Sequence, residues 1–203
     1  MSPLSSPDLL AALFALAFAS TWSPGPNNIM LANSGATFGW RATCPHAFGV
    51  ALGFPLMLLS VALILGEAFQ HSALLREGLR WAGVALLLWL SWRVATAGRA
   101  QAEGRGRPFT FAQAAAFQWI NPKAWVMAVS TAATFITGAA PLRDALVCAL
   151  VFAIAGLGSA HAWAAGGAAM RRVLSTDGRL RLFNAAMGGL IALSAIYMAG
   201  TDL

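Results

Sequence analysis

The chain has 203 residues, 59% of them hydrophobic and 10% charged, whereas an ordinary soluble domain carries roughly 25% charged residues. A water-soluble fold would need five or more helices apolar all round, and a globular helix normally keeps a polar stripe, so the composition excludes that class. The 13 Lys and Arg against 7 Asp and Glu give a pI near 11, but they fall in separate short clusters, which argues against a nucleic-acid partner and for an oriented membrane protein in a lipid bilayer.

Charge-free runs cover residues 9–40, 42–66, 124–142, 145–170 and 182–201, and a bilayer core needs about 20 such residues per helix. Bounded by charge, the runs predict six transmembrane spans: near 8–36 with an interruption, 44–66, 78–96, 109–138 with an interruption, 143–166 and 182–200. The first apolar stretch, Leu9 to Trp22, has the length of a signal-peptide core but only Asp8 before it. A signal peptide begins with a basic segment, so the helix is expected to be retained.

As one straight helix the segment Leu9–Trp40 would run about 48 Å against a hydrocarbon thickness near 30 Å. It must bend, and Ser23-Pro24-Gly25-Pro26-Asn27-Asn28 is where, because two prolines remove two backbone donors. In the third span Arg80 and Arg93 leave little uncharged length, and their heads are expected to snorkel with Trp81, Trp89 and Trp92 as interfacial anchors. After a connector at 99–107 comes a second long run, Pro108–Leu142, about 52 Å if straight and interrupted at Asn121-Pro122-Lys123.

The breaks at Pro24 and Pro122 lie 98 residues apart, at similar offsets within their spans. We therefore predict an all-α integral membrane domain over 1–203, with half one at 1–98, half two at 108–203 and a cytoplasmic connector between them. Three spans per half would place the halves upside down relative to each other. That is the inverted-repeat layout in which broken first helices meet at a midplane substrate site. Nine arginines, among them Arg41, Arg93, Arg99 and Arg171, fall on one face and Arg76, Arg80 and Arg143 on the other, so both termini should be periplasmic.

Freed backbone groups cannot stay bare in lipid, so each break should line a wet cavity. A restarted half-helix offers open N–H donors and partial positive charge to a carboxylate. Unwound carbonyls and the amides of Asn27, Asn28 and Asn121 suit an ammonium. Candidate transport-path residues are thus Pro24, Gly25, Pro26, Asn27, Asn28, Asn121, Pro122 and Lys123, although prolines can simply kink a helix and asparagines cap one. Lys123 stands alone in an apolar run, where a charge is costly; it could contact the substrate carboxylate, act as a gate, or snorkel.

The acids all lie at or beyond span ends. Glu67 and, more weakly, His46 are the candidates for proton coupling; His161 is a further lone histidine. Cys44 and Cys148 are read as small buried hydrophobes near opposite membrane faces, with no disulfide and no metal site. Gly35/Gly39 and Gly49/Gly53 permit close helix packing, within the protein or in a homo-oligomer. No HExxH, GxSxG or CxxC occurs, and Ser159 and His161, two residues apart, do not share a helix face. An intramembrane enzyme therefore lacks support, and no cofactor is implied. A structural subunit of a membrane complex is the other alternative.

Together SPGPNN, Gly35-x-x-x-Gly39-Trp40-Arg41, Trp81-Ala82-Gly83 through Leu90-x-Trp92, and Asn121-Pro122-Lys123-Ala124 resemble the LysE/RhtB-type superfamily of amino-acid exporters over nearly the whole chain. The wording PNNI with Gly-Trp-Arg, and Phe111 to Phe135, are most similar to its cysteine and O-acetylserine exporter branch. The resemblance implies a six-helix fold in the bacterial inner membrane. It also implies proton-driven efflux of small amino acids and transport-path roles for Pro24, Gly25, Pro26, Asn27, Asn121, Pro122 and Lys123.

Overall fold

Around an apolar core this protein also buries many polar side chains and exposes many large apolar ones, unlike a chain folded in water. Asn28, Ser34, Thr43, His46, Gln118, Asn121, Thr131, Asp144, Ser159 and Asn184 are buried, while Leu142, Leu146, Leu150 and Ile154 form an exposed stripe on one helix. Lipid as the outer solvent explains both, since it accepts apolar surface without cost and penalises unpaired polar groups. The structure, a computed structural model, describes residues 4, 6–65, 72–96, 107–136, 140–170, 173–174 and 176–200. Glu67 and the connector at 99–106 lie outside the described residues.

The elements are α1 (Pro7–Trp22), α2 (Pro26–Phe38), α3 (Trp40–Ser60) running into a π-helical turn (Val61–Leu65), α4 (Ala73–Ala95), α5 (Phe111–Phe117), a 3-10 turn (Gln118–Ile120), α6 (Pro122–Phe135), α7 (Pro141–Met170) and α8 (Asp177–Ala199). Both predicted interruptions are real. α1 and α2 are bent by 51° at the SPG break, and α6 restarts at Pro122 after the 3-10 turn. In each case a proline occupies the first turn of the restarted helix, where its missing N–H costs nothing.

Among the described residues, α3 with its π turn, α7 and α8 are each long and apolar enough to cross a bilayer. The bent pair α1 and α2 makes a fourth candidate span. α4 carries Glu77, Arg80 and Arg93. Arg80 pairs with Glu77 at 2.9 Å, and the two guanidiniums lie over the rings of Trp81 and Trp89, with centroids at 5.3 and 5.1 Å. Charge, pairing and exposed aromatics together suit a membrane–water boundary.

α7 is the hub of the fold. It packs on α1, α2 and α3, while α4 packs on α8 and α5 on α3. Small residues set these distances. A Cβ on Gly35 would overlap the backbone carbonyl of Ala164, and one on Gly167 that of Ala32, so α2 and α7 meet backbone to backbone. Gly49 and Gly53 face Phe111 and Ala115 of the α5 segment. Both pairs of glycines singled out in the sequence are thereby used within one chain, Gly39 in a different way. It joins α2 to α3 at φ 87°, a left-handed value that a side chain strains. Gly39→Ala should destabilise the protein by about 1 kcal/mol, read as a lower denaturation midpoint in detergent micelles.

Candidate functional site

The break between α1 and α2 leaves carbonyls at the end of α1 that need donors, and the fold supplies them from three elements. Ala19 O accepts from Ser23 N at 3.2 Å and Ser20 O from Ser23 Oγ at 2.9 Å. Thr21 O accepts twice, from Asn28 Nδ2 at 2.7 Å and from Ser159 Oγ of α7 at 2.7 Å. Ser23 O accepts from Asn28 Nδ2 at 2.9 Å and from Lys123 Nζ at 3.2 Å. The lysine ammonium also donates to Ser23 Oγ at 2.8 Å and lies 3.5 Å from Pro24 O. Lys123 is therefore held across the molecule by the other break. That contact offsets the burial of its charge.

Across from these carbonyls, Asn27 Nδ2 donates to Gln118 Oε1 at 2.9 Å, and Gln118 Nε2 donates to Ala114 O at 2.9 Å. The amide pair links α2 to the 3-10 turn. Asn121 caps α6, its side-chain oxygen accepting from Lys123 N at 3.1 Å. The two restarted helices thus differ. The N-terminus of α6 is closed by its cap, whereas the N–H groups of Asn27 and Asn28 at the start of α2 find no partner among the described residues.

Asn27, Asn28, Gln118, Asn121, Lys123 and Ser159, but not Ser23 or Pro24, line a cavity of about 60 Å³, room for a few ordered waters. Its lining combines polar residues, among them Asn27, Asn28, Gln118, Asn121 and Lys123, with apolar ones, Val50, Phe54, Met127 and Phe152. Phe54 and Phe152 meet at 5.0 Å between ring centroids. Of the residues selected from sequence, Gly25, Pro26, Asn27, Asn28, Asn121 and Lys123 line the cavity. Pro24 is exposed and offers its carbonyl to Lys123 without lining the cavity, and Pro122 starts α6. His46 lies away from the cavity, buried against Phe109 with ring centroids 5.3 Å apart, and its Nδ1 makes no hydrogen bond. Cys44 and Cys148 are free thiols.

Sequence reasoning missed Gln118 and Ser159. Gln118 is 1% exposed, and its only signal was a lone amide in an apolar run, three residues before Asn121. Ser159 had been weighed only as a nucleophile. Its hydroxyl caps α1, while His161 turns to Trp40 and Phe48, with centroids at 6.0 and 4.8 Å.

Residues 18–201 match the family described as LysE type translocator. The chain belongs to this family. It is a multi-pass membrane transporter and not an enzyme. Curated relatives include the cysteine/O-acetylserine efflux protein of Escherichia coli strain K12, 27% identical over 195 residues, 96% of this chain and 97% of the relative. The protein of the same name in Salmonella typhimurium is 26% identical over 196 residues, with the same coverage of both chains. No solved structure matches the chain.

Proposed function

We propose that this translocator exports small zwitterionic amino acids across the bacterial inner membrane, driven by protons. The observation that carries the reading is one cavity lined by the start of α2 and by Lys123, whose ammonium reaches the carbonyls of Ser23 and Pro24. Open N–H groups at the start of α2, Asn27 and Asn28, suit a carboxylate. The carbonyls of Ser23 and Pro24 at the end of α1 suit an ammonium. The apolar lining at Phe54 and Phe152 suits a short uncharged side chain. The names of the relatives, efflux proteins for cysteine and O-acetylserine, support amino acids of that size as cargo.

Two inverted halves of three spans are part of the proposal. A two-fold relating them would exchange α1, α2, α3 and α4 with α5, α6, α7 and α8. Under that exchange α3 on α7 and α4 on α8 map onto themselves and α1 on α7 maps onto α5 on α3, whereas α2 packs far more extensively on α7 than α6 does on α3. The arginine count supports periplasmic termini.

The test is counterflow of labelled amino acids into liposomes holding the purified protein, compared for cysteine, O-acetylserine, homoserine, threonine and lysine. Small neutral members should exchange at least tenfold faster than lysine, whose long charged side chain would desolvate against the phenylalanines. Lysine exchanging fastest, or no exchange at all, would overturn the reading.

A further inference from the structure

Lys123 is held by neutral oxygens, although an intramembrane lysine can pair with a carboxylate, with backbone carbonyls or with water at an interface. This one ends on Ser23 Oγ, Ser23 O and Pro24 O, and among the described residues no Asp, Glu or His lines the cavity with it. Ionisable groups on the surrounding elements stand elsewhere. His46 of α3 is a turn beyond Val50, against Phe109. On α7, His161 lies against Trp40 and Phe48, Asp144 sits in the first turn and Arg143 is exposed. Asp8 is at the far end of α1 and Arg41 at the start of α3, both exposed. α2, α5 and the 3-10 turn carry no ionisable side chain.

We propose that Lys123 holds the exchanged proton, its ammonium and the substrate ammonium taking the same Ser23 and Pro24 carbonyls in turn. This rests on the exporter reading above. Those carbonyls end α1, where the helix presents partial negative charge to a cation. One set of acceptors cannot serve two ammonium groups, because like charges this close in a poorly screened cavity repel strongly. When substrate arrives, Lys123 passes one proton to water and becomes a neutral amine; no bond to the substrate forms or breaks. When a proton returns, the ammonium re-forms, docks on Ser23 and Pro24, and the substrate loses its hold. One proton then moves against each zwitterion. The docked form also ties α6 to the end of α1, so protonation alters the connection between the two breaks.

Binding of labelled cysteine to the purified protein in detergent tests this between pH 5.5 and 7.5, where the thiol of free cysteine remains protonated. Release of one linked proton requires affinity to rise about tenfold per pH unit, and about one proton should appear in weakly buffered solution per cysteine bound. Lys123→Arg keeps a permanent charge. It should bind at least tenfold more weakly at pH 7.5, with no pH slope and no proton release. A flat affinity in the natural protein while cysteine counterflow proceeds would overturn the inference. So would a Lys123→Arg slope equal to the natural one, or a slope that disappears in His46→Gln or Glu67→Gln while persisting in Lys123→Arg. If Lys123→Arg is not recovered folded, the slope and proton count of the natural protein decide alone. Absence of counterflow for every amino acid in the panel is a separate failure, that of the exporter reading.

Discussion

Gly35→Val and Gly167→Val should each prevent recovery of folded protein, the largest effect expected of any single change here. Even the first carbon of a new side chain would land on a backbone carbonyl, Ala164 O for Gly35 and Ala32 O for Gly167. The obstacle is main chain, which cannot rotate aside as a side chain can. α2 and α7 would have to separate. Overpacking of a well-fitted core costs about 1–3 kcal/mol and sometimes more, and this pair of contacts is reciprocal along one interface. The measurement is yield of monodisperse protein in detergent and its thermal midpoint. Gly166 supplies the control: nothing lies within 4 Å of a Cβ built there, so Gly166→Ala should be neutral or slightly stabilising through helix propensity. Normal stability of Gly35→Val would mean that α2 does not pack on α7 in this way.

Counterflow should fall at least tenfold in Asn27→Ala and in Asn28→Ala. Asn28 satisfies two carbonyls at the end of α1 with one amide, Thr21 O and Ser23 O. Removing it leaves each with its remaining donor, Ser159 or Lys123, and gives the broken end freedom to shift. Asn27 acts across the molecule, and without it the buried side-chain oxygen of Gln118 loses its donor. Leaving a buried polar group unsatisfied costs about 1–3 kcal/mol, and 1.4 kcal/mol is already tenfold. Folding should survive both changes, so circular dichroism and size exclusion separate a damaged site from a damaged protein. Wild-type exchange rates in both variants would move the substrate path away from the α1–α2 break.

Much of this was legible in the sequence because lipid imposes a coarse rule on the chain. Long uncharged runs marked the helices, and the Pro-Gly-Pro and Asn-Pro clusters inside them marked both breaks, since a residue without an N–H weakens the backbone ladder; a lone proline need not break it, and Pro45 and Pro55 stay within α3. The offset of 98 residues between Pro24 and Pro122 was enough to expect the breaks to meet. The lone Lys123 was conspicuous for the same reason: an unpaired charge in an apolar run needs a partner somewhere.

What that partner is depended on contacts between residues about a hundred positions apart. Ser23 and Pro24 are bonded to Lys123, Asn27 to Gln118 and Thr21 to Ser159, and no periodicity in one helix specifies which face of another it meets. The two restarted helices differ for a local reason: Asn121 has a side chain that caps α6, whereas Gly25, at the same place before α2, has none. By contrast, Gly49 and Gly53 were compatible with a contact between protomers until α5 was seen against them. By itself the sequence determined that the chain lives in a bilayer, where its helices break and which charge is out of place, because those follow from single residues and their solvent. The fold alone decided which groups share the cavity, because hydrogen bonding across a bundle is set by helix rotation and register, to which many weak contacts contribute together.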